Sequence, residues 1–161
     1  MKPLAINPDS VNIISPLISP KKIELNPIRI TYKSPIQYRK AVYKIACFFR
    51  REFRYDFVQY GYEGEENDPK HVAFLWLHPE ARPFTGDFRI PCIGATCFRY
   101  REWTDNPAGY AMQWIWFHPY WRRKGLLSES WSDFKQEFGD FICEQPISEA
   151  MTKFLDKQQK T

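Results

Sequence analysis

Tyr110-Ala-Met-Gln-Trp-Ile-Trp-Phe-His118, followed by Pro119-Tyr-Trp-Arg-Arg-Lys-Gly-Leu-Leu-Ser-Glu-Ser-Trp-Ser-Asp-Phe-Lys-Gln-Glu-Phe-Gly139, reads as strand, loop and helix. Aromatic and β-branched residues fill the strand, and Pro119 removes a backbone donor and ends the pairing. From Leu126 onward Leu127, Trp131, Phe134 and Phe138 recur at three- and four-residue spacing. Ser128, Glu129, Asp133, Lys135 and Glu137 fall between them, and Gly139 stands where a helix C-cap belongs. The helix is therefore amphipathic, and its first turn follows Arg122, Arg123, Lys124 and Gly125. Unpaired backbone N–H groups and three cations meet there, which is the physics of an anion site and of a phosphate site in particular. A strand, a basic turn and an amphipathic helix also occur in many α/β proteins, so the surrounding elements must decide.

At 161 residues the chain suits one domain with one sizeable core. A hydrophobic content of 43% with 17% aromatics excludes a disordered chain. No apolar run approaches the length of a membrane span, and Met1-Lys-Pro-Leu-Ala-Ile-Asn-Pro8 lacks the apolar segment of a signal peptide, so the expected location is cytoplasmic. Cys47, Cys92, Cys97 and Cys143 lie at irregular spacing in apolar contexts, which suits buried reduced thiols. Cys92 and Cys97 with His118 lack the paired-cysteine spacing of zinc sites, and no metal is expected. The net charge of +4 suits an anionic cofactor or a nucleic-acid surface and requires neither.

Residues 1–22, with Pro3, Pro8, Pro16 and Pro20, read as an extended arm; one domain is expected over 23–157 and a polar tail over 158–161. Ile28–Lys33 is the first expected strand. Ser34 is placed to cap a helix, with Pro35 at its first position and Gln37 as the capping-box partner. Tyr38, Val42, Ile45, Phe49 and Phe53 form its core face, running to about Phe57. Arg39, Lys40, Lys44, Arg50, Arg51 and Arg54 form the other, and with Tyr43, Tyr55 and Tyr60 this face suits nucleic acid, although a solvated surface is the commoner use. An acidic loop follows with Glu63, Glu65, Glu66 and Asp68. Val72–Leu77 and Ile90–Arg101 are strands separated by a turn at Pro83–Asp87, with Gly94 marking a bulge or a close backbone approach. Thr104–Gly109 is a hairpin loop, Asp140–Glu144 a fifth strand, and Pro146 a break. Ser148 caps a last helix with Ala150, Met151, Phe154 and Leu155 inward, and Lys157–Thr161 fray.

Arg122-Arg-Lys-Gly125-Leu-Leu127 resembles the pyrophosphate motif of the Gcn5-related N-acetyltransferase (GNAT) superfamily, which reads Gln or Arg, two residues, Gly, any residue, then Gly or Ala. Arg122 and Gly125 match the first and fourth positions; Leu127 departs from the last, and Ser128 after it is common in the family. Trp114-Ile-Trp116, Arg122-Arg-Lys124 and Phe141-Ile-Cys-Glu-Gln-Pro146 look most like the cohesin-acetyltransferase branch. The order β-α-β-β-β-α-β-α is what the superfamily shows through its fifth strand and fourth helix. The resemblance implies an α/β fold with a mixed, mostly antiparallel sheet flanked by helices, lacking the usual last two strands. A dimer that completes the sheet, or an open acceptor site, would follow.

The resemblance further implies that acetyl-CoA is the co-substrate and that an amine, such as a protein lysine, is the acceptor. Acetyl-CoA would lie between the fourth and fifth strands, its pantetheine arm against the backbone of Trp116, Phe117 and His118. Backbone N–H groups from Arg123 through Gly125, Leu126 and Leu127, with Ser128 beyond, would hold the pyrophosphate, and the side chain of Arg122, Arg123 or Lys124 would reach the 3′-phosphate. An ammonium acceptor must lose a proton. Glu144 is the first candidate base and Glu149 the second, where the cohesin branch carries an acid; His118 has a suitable pKa. The last helix offers no tyrosine as acid for the leaving thiolate, so Tyr110 and Tyr120 are the substitutes. Two rivals remain: a GNAT-fold binding or regulatory module without turnover, and a nucleic-acid-binding protein using the basic helix at 36–57.

Overall fold

The computed structural model describes residues 13–22, 24–63, 69–79, 89–144 and 147–159. Residues 1–12 of the arm, Glu65, Glu66 and Asp68 of the acidic loop, the Pro83–Asp87 turn, Pro146 and the last two residues lie outside them. Three strands make the centre of the sheet because they carry the longest apolar runs: β3 (His71–Leu77), β4 (Ile90–Arg101) and β5 (Gly109–Phe117). Every residue of β3 is buried, as in a strand covered on both faces. β2 (Ile28–Ile30) pairs with β3 at one edge and β6 (Ile142–Cys143) with β5 at the other, while β1 (Leu17–Ile18) joins the start of β4. All pairings are antiparallel except β5 with β6.

Strand alternation sorts the core into two halves. Ala73, Leu75 and Leu77 face α1 (Ile36–Phe53), whose Tyr38, Val42, Ile45 and Phe49 bury the expected stripe. Val72, Phe74 and Trp76 face α2 (Leu126–Phe138) and α3 (Glu149–Gln159). Phe98, fully buried in this second half, stacks on Phe138 at 4.1 Å between ring centroids.

The register slips at one place on each side of β4. Cys97 faces Trp114 but Phe98 faces Met112, so Gln113 is the extra residue of a bulge in β5. Without it Met112, Trp114 and Trp116 would share a face. With it Met112 turns to α2 and α3, and both tryptophans turn to α1. On the other side Trp76 faces Gly94 and Leu77 faces Cys92, which leaves Ile93 extra.

Several local expectations need correction. Ser34 does not cap α1: its hydroxyl accepts the Thr31 N–H at 2.9 Å. Gln37 does not reach back to the helix start. Its carboxamide takes both main-chain groups of Ser19, at 2.8 and 2.9 Å, and so pins the segment around β1. α1 stops at Phe53, short of Phe57, because Arg54 turns left-handed at φ 59°. The strands expected over 28–33 and 140–144 shrink to Ile28–Ile30 and Ile142–Cys143. Ser148 does cap α3, accepting the Met151 N–H at 3.1 Å, but Ala150 is exposed and the helix runs on through Lys157. Only Cys92 and Cys97 of the thiols are fully buried, and burial pushes Cys92 up to about 12.

Gly94 marks a close approach. A Cβ there would lie 2.3 Å from Cδ1 of Phe117 and 3.0 Å from the Trp116 carbonyl oxygen. Gly94→Ala is expected to lower stability by about 1–3 kcal/mol in urea denaturation, the usual cost of overpacking, and by clearly less when Phe117 is already alanine. Equal losses in the two backgrounds would contradict this packing.

Candidate functional site

α2 starts at Gly125, whose φ of 82° turns the chain left-handed into the helix, and no side chain caps it. The Glu129 N–H closes the first turn on the Gly125 carbonyl at 3.0 Å. The N–H groups of Leu126, Leu127 and Ser128 precede that bond and have no intrahelical partner. Arg123 is left-handed too, at φ 62°. Arg123 and Lys124 are exposed beside these donors, with the Lys124 ammonium 4.8 Å above the Tyr120 ring. Donors, helix dipole and two cations thus coincide.

The Arg122 side chain is engaged elsewhere. Its Nε donates to the Phe117 carbonyl at 2.9 Å, and its two Nη atoms donate to Glu52 at 3.1 and 2.5 Å. The Glu52 side chain is 2% exposed and also accepts the Trp116 indole N–H at 2.9 Å. This fork staples the loop after β5 to α1. It corrects the expectation of three cations at the anion site, since Arg123 and Lys124 remain there. Sequence reading missed Glu52, although a signal existed: it continues the Tyr38, Val42, Ile45, Phe49 stripe, where a carboxylate needs a buried partner.

The neighbouring edge is open. β6 pairs with β5 only at Ala111 and Met112, and the Glu144 N–H closes on the Met112 carbonyl at 3.0 Å. Among the described residues no strand borders Gln113–Phe117 on that side. The His118 N–H donates to Ile93 across β4 at 2.8 Å, so alternation points the main chain of Trp116 at β4 and that of Ile115 and Phe117 at the open edge. Of the three backbone positions expected along a bound arm, Phe117 alone faces it; His118 and Trp116 do not, and Ile115 joins.

Where β5 and β6 part lies a cavity of about 50 Å³, lined by residues that include Phe53, Tyr55, Gln113, Ile115, Glu144 and Met151. It has room for one or two waters or a group of that size. The Oε1 of Gln113 is buried without a hydrogen-bond partner, an acceptor left open at the bulge. Glu144 holds Arg101 through both oxygens, at 2.7 to 3.2 Å, so it is a paired carboxylate. Burial, and Glu144 nearby, raise the Tyr55 phenol. Tyr55 entered the sequence reading only as a stacking residue. Tyr110 sits between Tyr100 and Phe138, with centroids at 5.5 and 4.8 Å, and does not line the cavity. Glu149 is exposed in the first turn of α3, also outside it. Trp114 and Trp116, each 3% exposed, are core, their indole N–H groups taken by the Gln59 carbonyl and Glu52.

His118 Nδ1 accepts the Tyr120 N–H at 3.2 Å and so caps the short 3₁₀ turn Pro119–Trp121. Burial, then the Arg122 charge, lowers its pKa below 6.5. Among the described residues no group of three or more metal-ligating side chains occurs.

No family model matches this sequence, and neither does any curated protein. Solved structures do. A possible acetyltransferase from Clostridium difficile 630 aligns at a TM-score of 0.54 and 10% identity over 85% of this chain and 91% of that one. Ribosomal-protein-alanine N-acetyltransferase from Brucella melitensis biovar Abortus 2308 aligns at 0.49 and 14% over 84% and 91%. An aminoglycoside acetyltransferase from an uncultured soil metagenomic sample, in complex with sisomicin, aligns at 0.48 and 11% over 83% and 84%. The first likeness shows a shared fold: a mostly antiparallel sheet flanked, among the described residues, by three α-helices, as in that possible acetyltransferase.

Two outcomes check this geometry. Glu52→Ala leaves the Arg122 guanidinium and the Trp116 indole without their acceptor, and should lower stability by about 3 kcal/mol in urea, with Glu52→Gln losing less because it keeps an acceptor. His118 has its folded pKa below the unfolded one, so its stabilisation is full above pH 6.5 and is lost as pH falls through the lowered value. His118→Asn keeps an acceptor for Tyr120 and does not titrate. Melting curves from pH 7 to pH 5 should therefore fall more steeply for the wild type than for this variant.

Proposed function

We propose that the chain is an acetyl-CoA-dependent N-acetyltransferase acting on an amine, such as a lysine, carried by a protein or other macromolecule. One observation carries this reading: the uncapped N-terminus of α2 stands at the end of an open strand edge that leads to a cavity with an unpartnered acceptor. The donors of Leu126 to Ser128, with Arg123 and Lys124, suit a pyrophosphate. The open edge at Ile115 and Phe117 suits an extended amide-bearing arm, which adds to it as a strand would. Gln113 Oε1 suits an N–H of that arm or of the acceptor. The fold likeness and the motif at Arg122 to Leu127 support the same assignment, as does the cohesin-acetyltransferase-like pattern at Trp114-Ile-Trp116.

Bound acetyl-CoA would supply an activated acyl group. Tyr55, kept protonated by burial and by the adjacent carboxylate, is placed to give its proton to the departing sulfur. Glu144, braced by Arg101, attracts and orients the acceptor ammonium and is the cavity carboxylate through which its proton leaves. Tyr110 and Glu149 have no part in this scheme. A non-catalytic GNAT-fold module is the second reading, favoured by the pairing of Glu144 with Arg101, which occupies both carboxylate oxygens.

Calorimetric titration with acetyl-CoA is expected to give micromolar binding by the wild type. The exposed double change Arg123→Glu with Lys124→Glu should weaken it at least about tenfold without lowering the melting temperature. Tyr55→Phe should bind as tightly yet transfer about 100-fold more slowly to amine acceptors. No saturable binding by folded wild type would overturn the proposal; binding with no transfer to any amine would leave the second reading.

A further inference from the structure

The outer face of α1 is a groove of about 770 Å³. Lys40, Lys44, Arg50, Arg51 and Arg54 line it, and among the described residues no carboxylate does. Glu52, the acid of this stretch, points inward to Trp116 and Arg122, and Glu63 and Asp56 are exposed but do not line the groove. Rings stand between the cations. Tyr43 and Tyr62 meet edge to face at 5.1 Å, Lys40 lies 5.7 Å from the Tyr62 centroid, and Arg51 lies 5.5 Å from that of Phe48. None of these rings is fully buried.

We propose that this groove binds single-stranded nucleic acid, the cations holding phosphates while Tyr43 and Tyr62 receive unstacked bases. An acidic peptide would satisfy the cations and leave the ring faces uncovered, whereas a polynucleotide carries both an anionic backbone and a π-face on every unit. A duplex keeps its bases stacked and cannot use the rings. From Lys40 to Phe53 the helix rises about 20 Å, enough for a site at the short end of single-strand footprints, about four nucleotides. The groove borders the cavity between β5 and β6 through Tyr55, which lines both; its cations and the rings of Tyr43 and Tyr62 have no part in acetyl transfer, so binding here stands whether or not the chain transfers acetyl groups.

Fluorescence anisotropy with a short labelled oligouridine tests it. Binding should fall with salt at a log–log slope of about −3, from four to five neutralised phosphates. Lys44→Glu with Arg51→Glu should weaken it at least about tenfold and flatten the slope, with the melting temperature unchanged. Tyr43→Ala removes a ring and no charge; it should weaken binding about tenfold with the slope unchanged. Polyglutamate or duplex RNA competing as well as oligouridine, or unaltered binding by a folded Tyr43→Ala, would overturn the proposal. So would oligouridine binding that does not change in a folded Lys44→Glu, Arg51→Glu variant.

Discussion

β5 is paired with β4 at every residue but Gln113 and with β6 over only two, and this inequality governs the site. A strand held on one side alone exposes main-chain donors and acceptors, which proteins normally cover. Here the exposed part is the half nearest the α2 N-terminus. The bulge at Gln113 falls where the two halves meet. It turns Trp114 and Trp116 into the α1 core, leaves Ile115 and Phe117 toward α2, and strands a buried carboxamide oxygen at the fork.

The loop that carries the helix start would be free to wander without its staple. Glu52 and Arg122 form a pair joined by two hydrogen bonds, with a third from the Trp116 indole and a fourth from Arg122 to the Phe117 carbonyl. Desolvating a carboxylate this deeply costs several kcal/mol, and only a nearly complete set of partners offsets that. The same set fixes where Gly125 and the first turn of α2 stand relative to β5. Structure-holding charge and ligand-facing charge are thus neighbours in sequence: Arg122 does the first, Arg123 and Lys124 the second.

Much of the fold was legible because the elements that matter most are strongly periodic. β4 runs over Ile90–Arg101 and α2 over Leu126–Phe138 as the alternation and the three-four spacing predict, and Gly139 closes α2 at the Lys135 carbonyl. The bulge was not legible. Met112, Trp114 and Trp116 are apolar on either face, so a one-residue slip leaves no mark in the pattern. Ser34 and Gln37 satisfied a capping motif locally, yet Thr31 and Ser19 offered competing partners that the motif cannot see. The site shows the same limit. Arg122 matched a family position, but Glu52, 70 residues earlier in the chain, claimed its side chain. Glu144 was found, whereas its Arg101 partner, 43 residues away, was not.

Amide hydrogen exchange followed by NMR, with and without acetyl-CoA, tests the central claim most directly. The account predicts slowed exchange at Ile115, Phe117, Leu126, Leu127 and Ser128, and no change at Trp116 and His118, whose N–H groups already point at β4. Uniform slowing along the whole of β5, or none at the start of α2, would contradict it.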